Sequence, residues 1–342
     1  MNLSIRPVDF AADHDELLCV LRRNLLDIPH EARLAWLYQE NPSGPARSWF
    51  LCDERGTAVG VTSLFPRAVW LGETSGVCGQ VGDFGIDAGF RSLGPAIMLQ
   101  RSTFEPVTKG DFAFCYDCPP HERGMAMFYR LGLRASCQMK VYTKPLRTER
   151  QLKRLLGSTT GRMAARVANP LLRLASKRRS GPGALEFSLH TGNFGSEFSD
   201  LDSAAQSSGV IRNRRSAEDL NWRFRHNPLQ QFEVLTALQQ GLLAGYVVYS
   251  FIEEDVLIFD LFGQELSEIG PALLQELSSS MRGRPVQTMR ALLTDGSAYI
   301  SIFKQAGFSL RGDGARIVAF NGSQRNPLCD VEWQFQQSDV MA

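Results

Sequence analysis

Hydrophobic and polar positions in the first 146 residues form short strand-like runs separated by helix-like segments. Asn41-Pro42 stops the second helix, the turn at Gly56 joins a hairpin, and Gly132 ends the last helix. The predicted order is strand 3–7, a helix near 17–21, helix 31–39, hairpin strands 48–52 and 57–65, a strand ending near 86, a helix to about 105, strand 112–116, helix 122–131 and strand 137–142.

The second half of the chain repeats the first in the same order. We interpret Trp36 and Trp222, each five residues before an Asn-Pro pair, as packing anchors, with walls of an acceptor pocket as the alternative. Four ordered matches with slowly falling offsets indicate a tandem fold. They are Trp36 with Trp222 (offset 186), Gly56 and Gly60 with Gly241 and Gly245 (185), Gly94-Pro95-Ala96 with Gly270-Pro271-Ala272 (176), and Phe128 and Gly132 with Phe303 and Gly307 (175).

Between the repeats, residues 147–184 carry ten Arg or Lys against one acid, Glu149. Leucines and other apolar residues recur there at roughly helical spacing, and Ser180-Gly181-Pro182-Gly183 closes the segment. This pattern predicts a basic helical linker that straps over the two domains. The alternative is a peripheral contact with a membrane or an anionic polymer through residues 147–179.

Length, charge and cysteine content limit the kinds of partner and cellular location that we expect for this protein. A chain of 342 residues can hold two cores, and a net charge of +1 gives no reason to expect nucleic acid as a partner. The first residues do not have the pattern of a secretory signal, and no run reaches the roughly 20 apolar residues of a membrane span. Seven scattered cysteines are typical of reduced thiols. We therefore expect a cytoplasmic protein.

Residues 79–101 predict a strand, a turn of small residues and the start of a helix. The first backbone N–H groups of a helix are unpaired, and together with the helix dipole they form an anion site. Gly94 and Ala96 are small enough for a phosphate to approach the backbone, although Pro95 supplies no N–H. The stretch therefore predicts a pyrophosphate cradle.

The sequence from Arg91 to Ala96 resembles the Arg/Gln-x-x-Gly-x-Gly/Ala signature of the GNAT superfamily of acyl-CoA-dependent N-acyltransferases, and residues 86–90 resemble its Val-x-Pro-x-Tyr run. With the element order, the resemblance covers residues 1–146 and extends through the repeat. It implies an α/β (α+β) protein of two tandem GNAT folds, each a mixed, mostly antiparallel sheet flanked by helices. The implied division is a coenzyme-binding domain (1–146), the linker (147–184) and a second domain (185–342).

The resemblance implies acetyl-CoA or another acyl-CoA as donor and no metal. In the second half Ser267 stands in place of Arg91, and Glu265 and Glu268 would repel a pyrophosphate by about 1–4 kcal/mol per close pair. We therefore expect a coenzyme site in the first half alone. The residues implied to bind the coenzyme are Phe84, Gly85, Ile86, Arg91, Ser92, Leu93, Gly94, Pro95 and Ala96.

Three residues are candidates for proton transfer. Asp83 is a candidate base, and the alternative is a hydrogen-bonded carboxylate of the strand. His121, with Glu122 beside it, is a candidate base or coenzyme contact, and the alternative is an ordinary helix cap. The family's tyrosine acid has Phe128 in its place, and Tyr129 lies about 100° round the helix. Tyr129 is therefore a candidate acid of small expected effect.

These features predict an N-acyltransferase that transfers an acyl group directly from the thioester to an amine of a small molecule or sugar precursor. One alternative is a non-catalytic ligand-binding protein with the same fold. Another is a Fem-type transferase that uses aminoacyl-tRNA. The lone C-x-x-C at Cys115 and Cys118 has no partner pair, so we interpret it as two ordinary thiols.

Overall fold

The computed structural model describes residues 2–25, 30–147, 185–205, 208–322, 328 and 330–340. Apart from Arg147, the predicted basic linker lies outside the described residues. The elements of the first half are β1 (Ser4–Pro7), α1 (His14–Asn24), α2 (His30–Arg33, continued by a π-helical turn over Leu34–Gln39), β2 (Arg47–Cys52), β3 (Ala58–Leu71), β4 (Thr74–Ile86), α3 (Leu93–Ser102), α4 (Glu105–Thr108), β5 (Cys115–Asp117), α5 (Glu122–Arg130) and β6 (Ala135–Pro145).

The second half has a closely similar order. Its elements are β7 (Leu185–Leu189), α6 (Ser196–Ala204), β8 (Val210–Asn213), α7 (Ala217–Leu220, continued by a π-helical turn over Asn221–Arg225), β9 (Glu233–Gln239), β10 (Leu242–Ile252), β11 (Asp255–Gly263), α8 (Leu266–Ser280), β12 (Thr288–Thr294), α9 (Tyr299–Gln305), β13 (Ser309–Phe320) and β14 (Glu332–Trp333).

Most predicted elements are present, with shifted ends. The strand predicted over 112–116 is observed at Cys115–Asp117, and the helix predicted to reach about residue 105 ends at Ser102. Successive side chains along each strand point to opposite faces of the sheet, and helices pack on both faces. Phe50 packs with α1, whereas its neighbour Leu51 packs with Leu99 of α3. The mixed, mostly antiparallel α/β architecture is thus confirmed.

The strands form one continuous sheet in which the two halves exchange their last strands. The order is β1-β2-β3-β4-β5-β13-β6-β12-β11-β10-β9-β7, with β8 beside β3. Strand β13 of the second half pairs with β5 and β6, and β6 of the first half pairs with β12 and β13. The expected division at residue 146 therefore does not separate two complete sheets.

The two tryptophans of the repeat meet where the halves pack together. Their rings stack with centroids 5.1 Å apart. Each indole N–H donates to the other residue's carbonyl oxygen, from Trp36 to Trp222 at 2.8 Å and from Trp222 to Trp36 at 2.9 Å. Both side chains are buried. The structure therefore confirms that they are packing anchors.

Candidate functional site

Strands β4 and β5 part after two ladder pairs, and this opening defines the candidate site. They pair in parallel at Gly79 with Cys115 and at Gln80 with Tyr116. Beyond that point β5 ends at Asp117, whereas β4 continues to Ile86. A gap between parallel strands exposes backbone groups that a ligand can reach.

A β-bulge lies on β4 beside this gap. Asp83 has a left-handed backbone (φ 50°), and the ladder with β3 moves from Ser63–Gly82 to Val61–Gly85. Two residues, Asp83 and Phe84, therefore oppose the single residue Thr62. Bulges of this kind redirect backbone and side chains and are frequent next to active sites. The bulge adjoins Phe84, Gly85 and Ile86, three of the residues that the GNAT resemblance implies bind the coenzyme.

Helix α3 presents an open N-terminus on the surface beside β4. Ser92 occupies the N-cap position with an extended backbone, and its side chain makes no cap hydrogen bond. A Cβ added to Gly94 would meet no atom within 4 Å. The amides of Leu93 and Gly94 are thus placed to receive an anion, while Pro95 supplies none. Ala96 is half-buried below them.

Arg91 stabilises the turn between β4 and α3. Its Nε donates to the Ile86 carbonyl oxygen at 2.6 Å, which ties the turn to the end of β4. Arg23 pairs with Asp87 at 3.0 Å, and Asn24 donates to the same carboxylate at 2.6 Å. These contacts hold the strand-to-helix turn in place.

The side chain of Asp83 is engaged by two neighbouring residues. Its buried carboxylate is held by the guanidinium of Arg33, with one contact at 2.8 Å, and by the hydroxyl of Tyr38. Burial would lower the pKa of Arg33, but Asp83 raises it above its usual value. Burial and Asp83 together raise the pKa of Tyr38 well above its usual range. Both oxygens of Asp83 are engaged, which favours the strand-carboxylate alternative.

His121 and Tyr129 lie on the exposed side of α5. His121 occupies the N-cap position, but its side chain makes no cap hydrogen bond, so it does not serve as the ordinary cap. Tyr129 is 51% exposed, and its hydroxyl accepts a hydrogen bond from Arg316 of β13 at 3.3 Å. Phe128 is buried and faces the gap between the strands. This is the helix register expected from the sequence.

A narrow cleft, too tight in this structure to admit a water molecule, lies between the gap and helices α3 and α5. Sequence reasoning missed two of its polar residues, Gln100 and Asp117. Asp117 lies in an otherwise apolar run of the sequence, and a carboxyl group in such a run is the signal that could have identified it. The lining residues are Val81, Gln100, Phe104, Cys115, Tyr116, Asp117, Phe128, Leu133, Val318, Ala319 and Phe320. Because the last three belong to β13, the second half completes the cleft.

In the second half, a longer helix and a glutamine side chain occupy the place that corresponds to the cradle and the gap of the first half. Helix α8 begins at Leu266, so Gly270 lies one turn inside it, where an added Cβ would stand 2.6 Å from the Ile302 side chain. The side-chain amide of Gln336 occupies the space beside β11. It accepts from the Leu261 amide and donates to the Leu261 carbonyl, both at 2.9 Å. The C-terminal segment thus satisfies the backbone that a ligand would otherwise contact.

Within the described ranges, no group of three or more His, Cys, Asp or Glu side chains is placed to hold a metal ion. Cys115 and Cys118 are free thiols, and burial raises the pKa of both well above the usual value. No helix in this part of the chain is long and apolar enough to cross a membrane.

Comparison with known proteins identifies the fold. Neither the protein-family models nor the curated proteins give a match. Among solved structures, a GCN5-related N-acetyltransferase from Anabaena variabilis ATCC 29413 aligns over 94% of this chain and 73% of its own, with TM-score 0.67 and 12% identity. A conserved protein from Enterococcus faecalis V583, described as a probable N-acyltransferase, covers 93% and 72%, with TM-score 0.65 and 11% identity.

Saccharomyces cerevisiae N-myristoyltransferase, solved with bound myristoyl-CoA, is also similar. The match covers 93% of this chain and 82% of that one, with TM-score 0.56 and 10% identity. At these identities the likeness establishes the fold. The chain therefore has the GNAT-type fold over nearly its whole length.

Proposed function

We propose that this protein is an acyl-CoA-dependent N-acyltransferase with a single coenzyme site in its first half. The observation that carries the proposal is the open N-terminus of α3 beside the parted strands β4 and β5. Among the described residues of the second half, an extra helical turn and Gln336 occupy the same place, which supports a single site. The bound myristoyl-CoA of the N-myristoyltransferase neighbour supports an acyl-CoA donor.

In this proposal the pyrophosphate of the coenzyme rests on the amides of Leu93 and Gly94. The pantetheine arm enters the gap, and an amide of residues 84–86 polarises the thioester carbonyl. The acceptor is an amine on a small molecule or a sugar-linked compound, and acetyl-CoA is the first donor to test. We propose that His121, exposed at the start of α5, contacts the coenzyme or transfers a proton.

We further propose that the chain is a tandem GNAT protein whose second half supports the site in the first. The sequence repeat, the shared element order and the reciprocal tryptophan contact support this interpretation. Residues 318–320 of β13 line the cleft, so the second half contributes walls to the single site.

One alternative has specific support. A non-catalytic coenzyme-binding protein would need no free base and no tyrosine acid, and here Asp83 is engaged by Arg33 while Phe128 replaces the tyrosine. Binding and turnover must therefore be measured separately.

Isothermal titration calorimetry with coenzyme A and with acyl-CoAs from acetyl to myristoyl should give one site per chain. Release of coenzyme A thiol in the presence of a panel of amines and amino sugars then measures turnover. Two equivalent sites would contradict the assignment to the first half. Binding without turnover would favour the non-catalytic alternative, and no binding by any acyl-CoA would favour an aminoacyl-tRNA donor.

A further inference from the structure

A departing thiolate has no hydroxyl donor at the place where the GNAT resemblance implies one, because Phe128 lines the cleft there. One carboxyl group lines the same cleft, that of Asp117 at the end of β5. We propose that Asp117 is the acid that protonates the coenzyme A thiolate as it leaves. This role rests on the proposed N-acyltransferase function.

The position of Asp117 fits this task. It follows the last ladder pair between β4 and β5, at the point where the strands separate, and it opposes Val318 of β13 on the other side. No ion pair of the described residues involves Asp117, in contrast to Asp83 with its guanidinium partner. Burial raises the pKa of Asp117 to about 7, so a large fraction carries a proton near neutral pH.

A second polar group in the cleft carries an acceptor that an N–H donor of a ligand would satisfy. Gln100 is fully buried, and its Nε2 donates to the Thr103 hydroxyl at 3.0 Å. Among the residues that the structure describes, none forms a hydrogen bond with its Oε1. A buried acceptor without a donor is unfavourable by about 1–3 kcal/mol, unless a ligand satisfies it. The pantetheine arm carries two amide N–H groups, and one of them would supply the missing bond.

The proposed reaction moves the acyl group from sulfur to nitrogen. The neutral amine of the acceptor attacks the thioester carbonyl carbon, a C–N bond forms, and the amine proton passes to solvent. When the C–S bond breaks, its electron pair stays on sulfur, and the Asp117 hydroxyl proton transfers to that sulfur. The products are the amide and coenzyme A thiol. Asp117 is left ionised and regains a proton from solvent before the next turnover.

The test compares Asp117→Asn with Asp111→Asn, a control at an exposed aspartate. With acyl-CoA and a working acceptor, we expect Asp117→Asn to lower kcat by roughly 10²–10³-fold, within the range for loss of a general acid, while the Kd for coenzyme A stays within threefold. With an aryl thioester, whose arenethiolate leaves without a proton, the same variant should keep its rate within threefold. The wild-type kcat should fall above about pH 7, and this fall should be absent from Asp117→Asn.

Adding Phe128→Tyr to Asp117→Asn should restore at least tenfold of the lost rate, since it returns a hydroxyl to the cleft. An Asp117→Asn variant that turns over acyl-CoA at the wild-type rate would overturn the role of Asp117 alone. Equal losses with both donors would also overturn it, because they would indicate a structural effect. A wild-type protein that binds no acyl-CoA, or turns none over, would overturn the proposed function and this role with it.

Discussion

Substitution of Gly94 by glutamate tests whether α3 holds a pyrophosphate. A side chain at Gly94 enters open space, and position two of a helix favours an acidic residue by about 0.3–1 kcal/mol, so the fold should be unaffected. A carboxylate about 5 Å from a phosphate charge costs roughly 1–3 kcal/mol, for an effective dielectric constant between 80 and 20. Two phosphates raise the lower limit to roughly 2 kcal/mol, which is about 30-fold in Kd.

Calorimetry with coenzyme A should therefore show at least a 30-fold weaker Kd for Gly94→Glu, at an unchanged melting temperature. Higher salt should restore part of the affinity, because the site is exposed. Gly94→Gln has the same length without the charge and should stay within about threefold of wild type. Ser267→Glu adds a carboxylate at the second residue of α8 and should have no effect. Gly270 is unsuitable for this control because Ile302 packs against it.

Affinity of Gly94→Glu within threefold of wild type would refute the placement of the pyrophosphate. An equal loss in Gly94→Gln would indicate that the side chain blocks the site sterically, and the electrostatic argument would be wrong.

Three further predictions concern carboxyl and hydroxyl groups near the site. Tyr129→Phe should lower kcat less than about tenfold, because the hydroxyl is exposed on the outer side of α5; a larger loss at unchanged coenzyme affinity and melting temperature would contradict the helix register. Asp83→Asn should destabilise the protein by about 3–5 kcal/mol in urea unfolding, because Arg33 remains buried without its counter-ion, and adding Arg33→Met should recover part of this loss. For Asp117, the folded pKa of about 7 exceeds the usual 3.8, so the folded state binds the proton more tightly and wild-type stability falls as pH rises between these values. Relative to wild type, Asp117→Asn should gain roughly 1–3 kcal/mol between pH 5 and pH 8 in urea unfolding, and a constant difference would contradict the raised pKa.

Those parts of the fold that depend on neighbouring residues could be predicted from the local sequence. The strand, turn and helix around Gly94 follow from glycine, proline and an apolar helical face, all within 23 residues. The tryptophan pair could be found because a repeat marks both members. The asymmetry between the halves was also visible, since Ser267 and two glutamates stand near the counterpart of the cradle.

Features formed by distant residues were not predictable in this way. The ion pair of Asp83 joins it to Arg33, 50 residues away, and nothing in either neighbourhood specifies the partner. The Gln336 amide reaches Leu261 across 75 residues and fills a cleft that the pattern of β11 alone leaves open. Asp117 is visible in the sequence as a carboxyl group in an apolar run, but its position in the cleft depends on β13, which packs beside it. In each case the chemistry of the group depends on which distant segment covers it.

The exchange of last strands has a consequence for synthesis of the chain. Strand β6 is complete at Pro145, but its partners lie far downstream: the Gln138 amide donates to Asp295, 157 residues later, and Lys140 pairs with Asp313, 173 residues later. At 5–20 residues per second, β6 and the edge of β5 would wait roughly 10–30 s for those partners. During that interval the nascent chain exposes both edges of β6 and one edge of β5 without partners, and unpaired strand edges are sites of aggregation. A ribosome that stopped at residue 146 would release a half with no strand to close it.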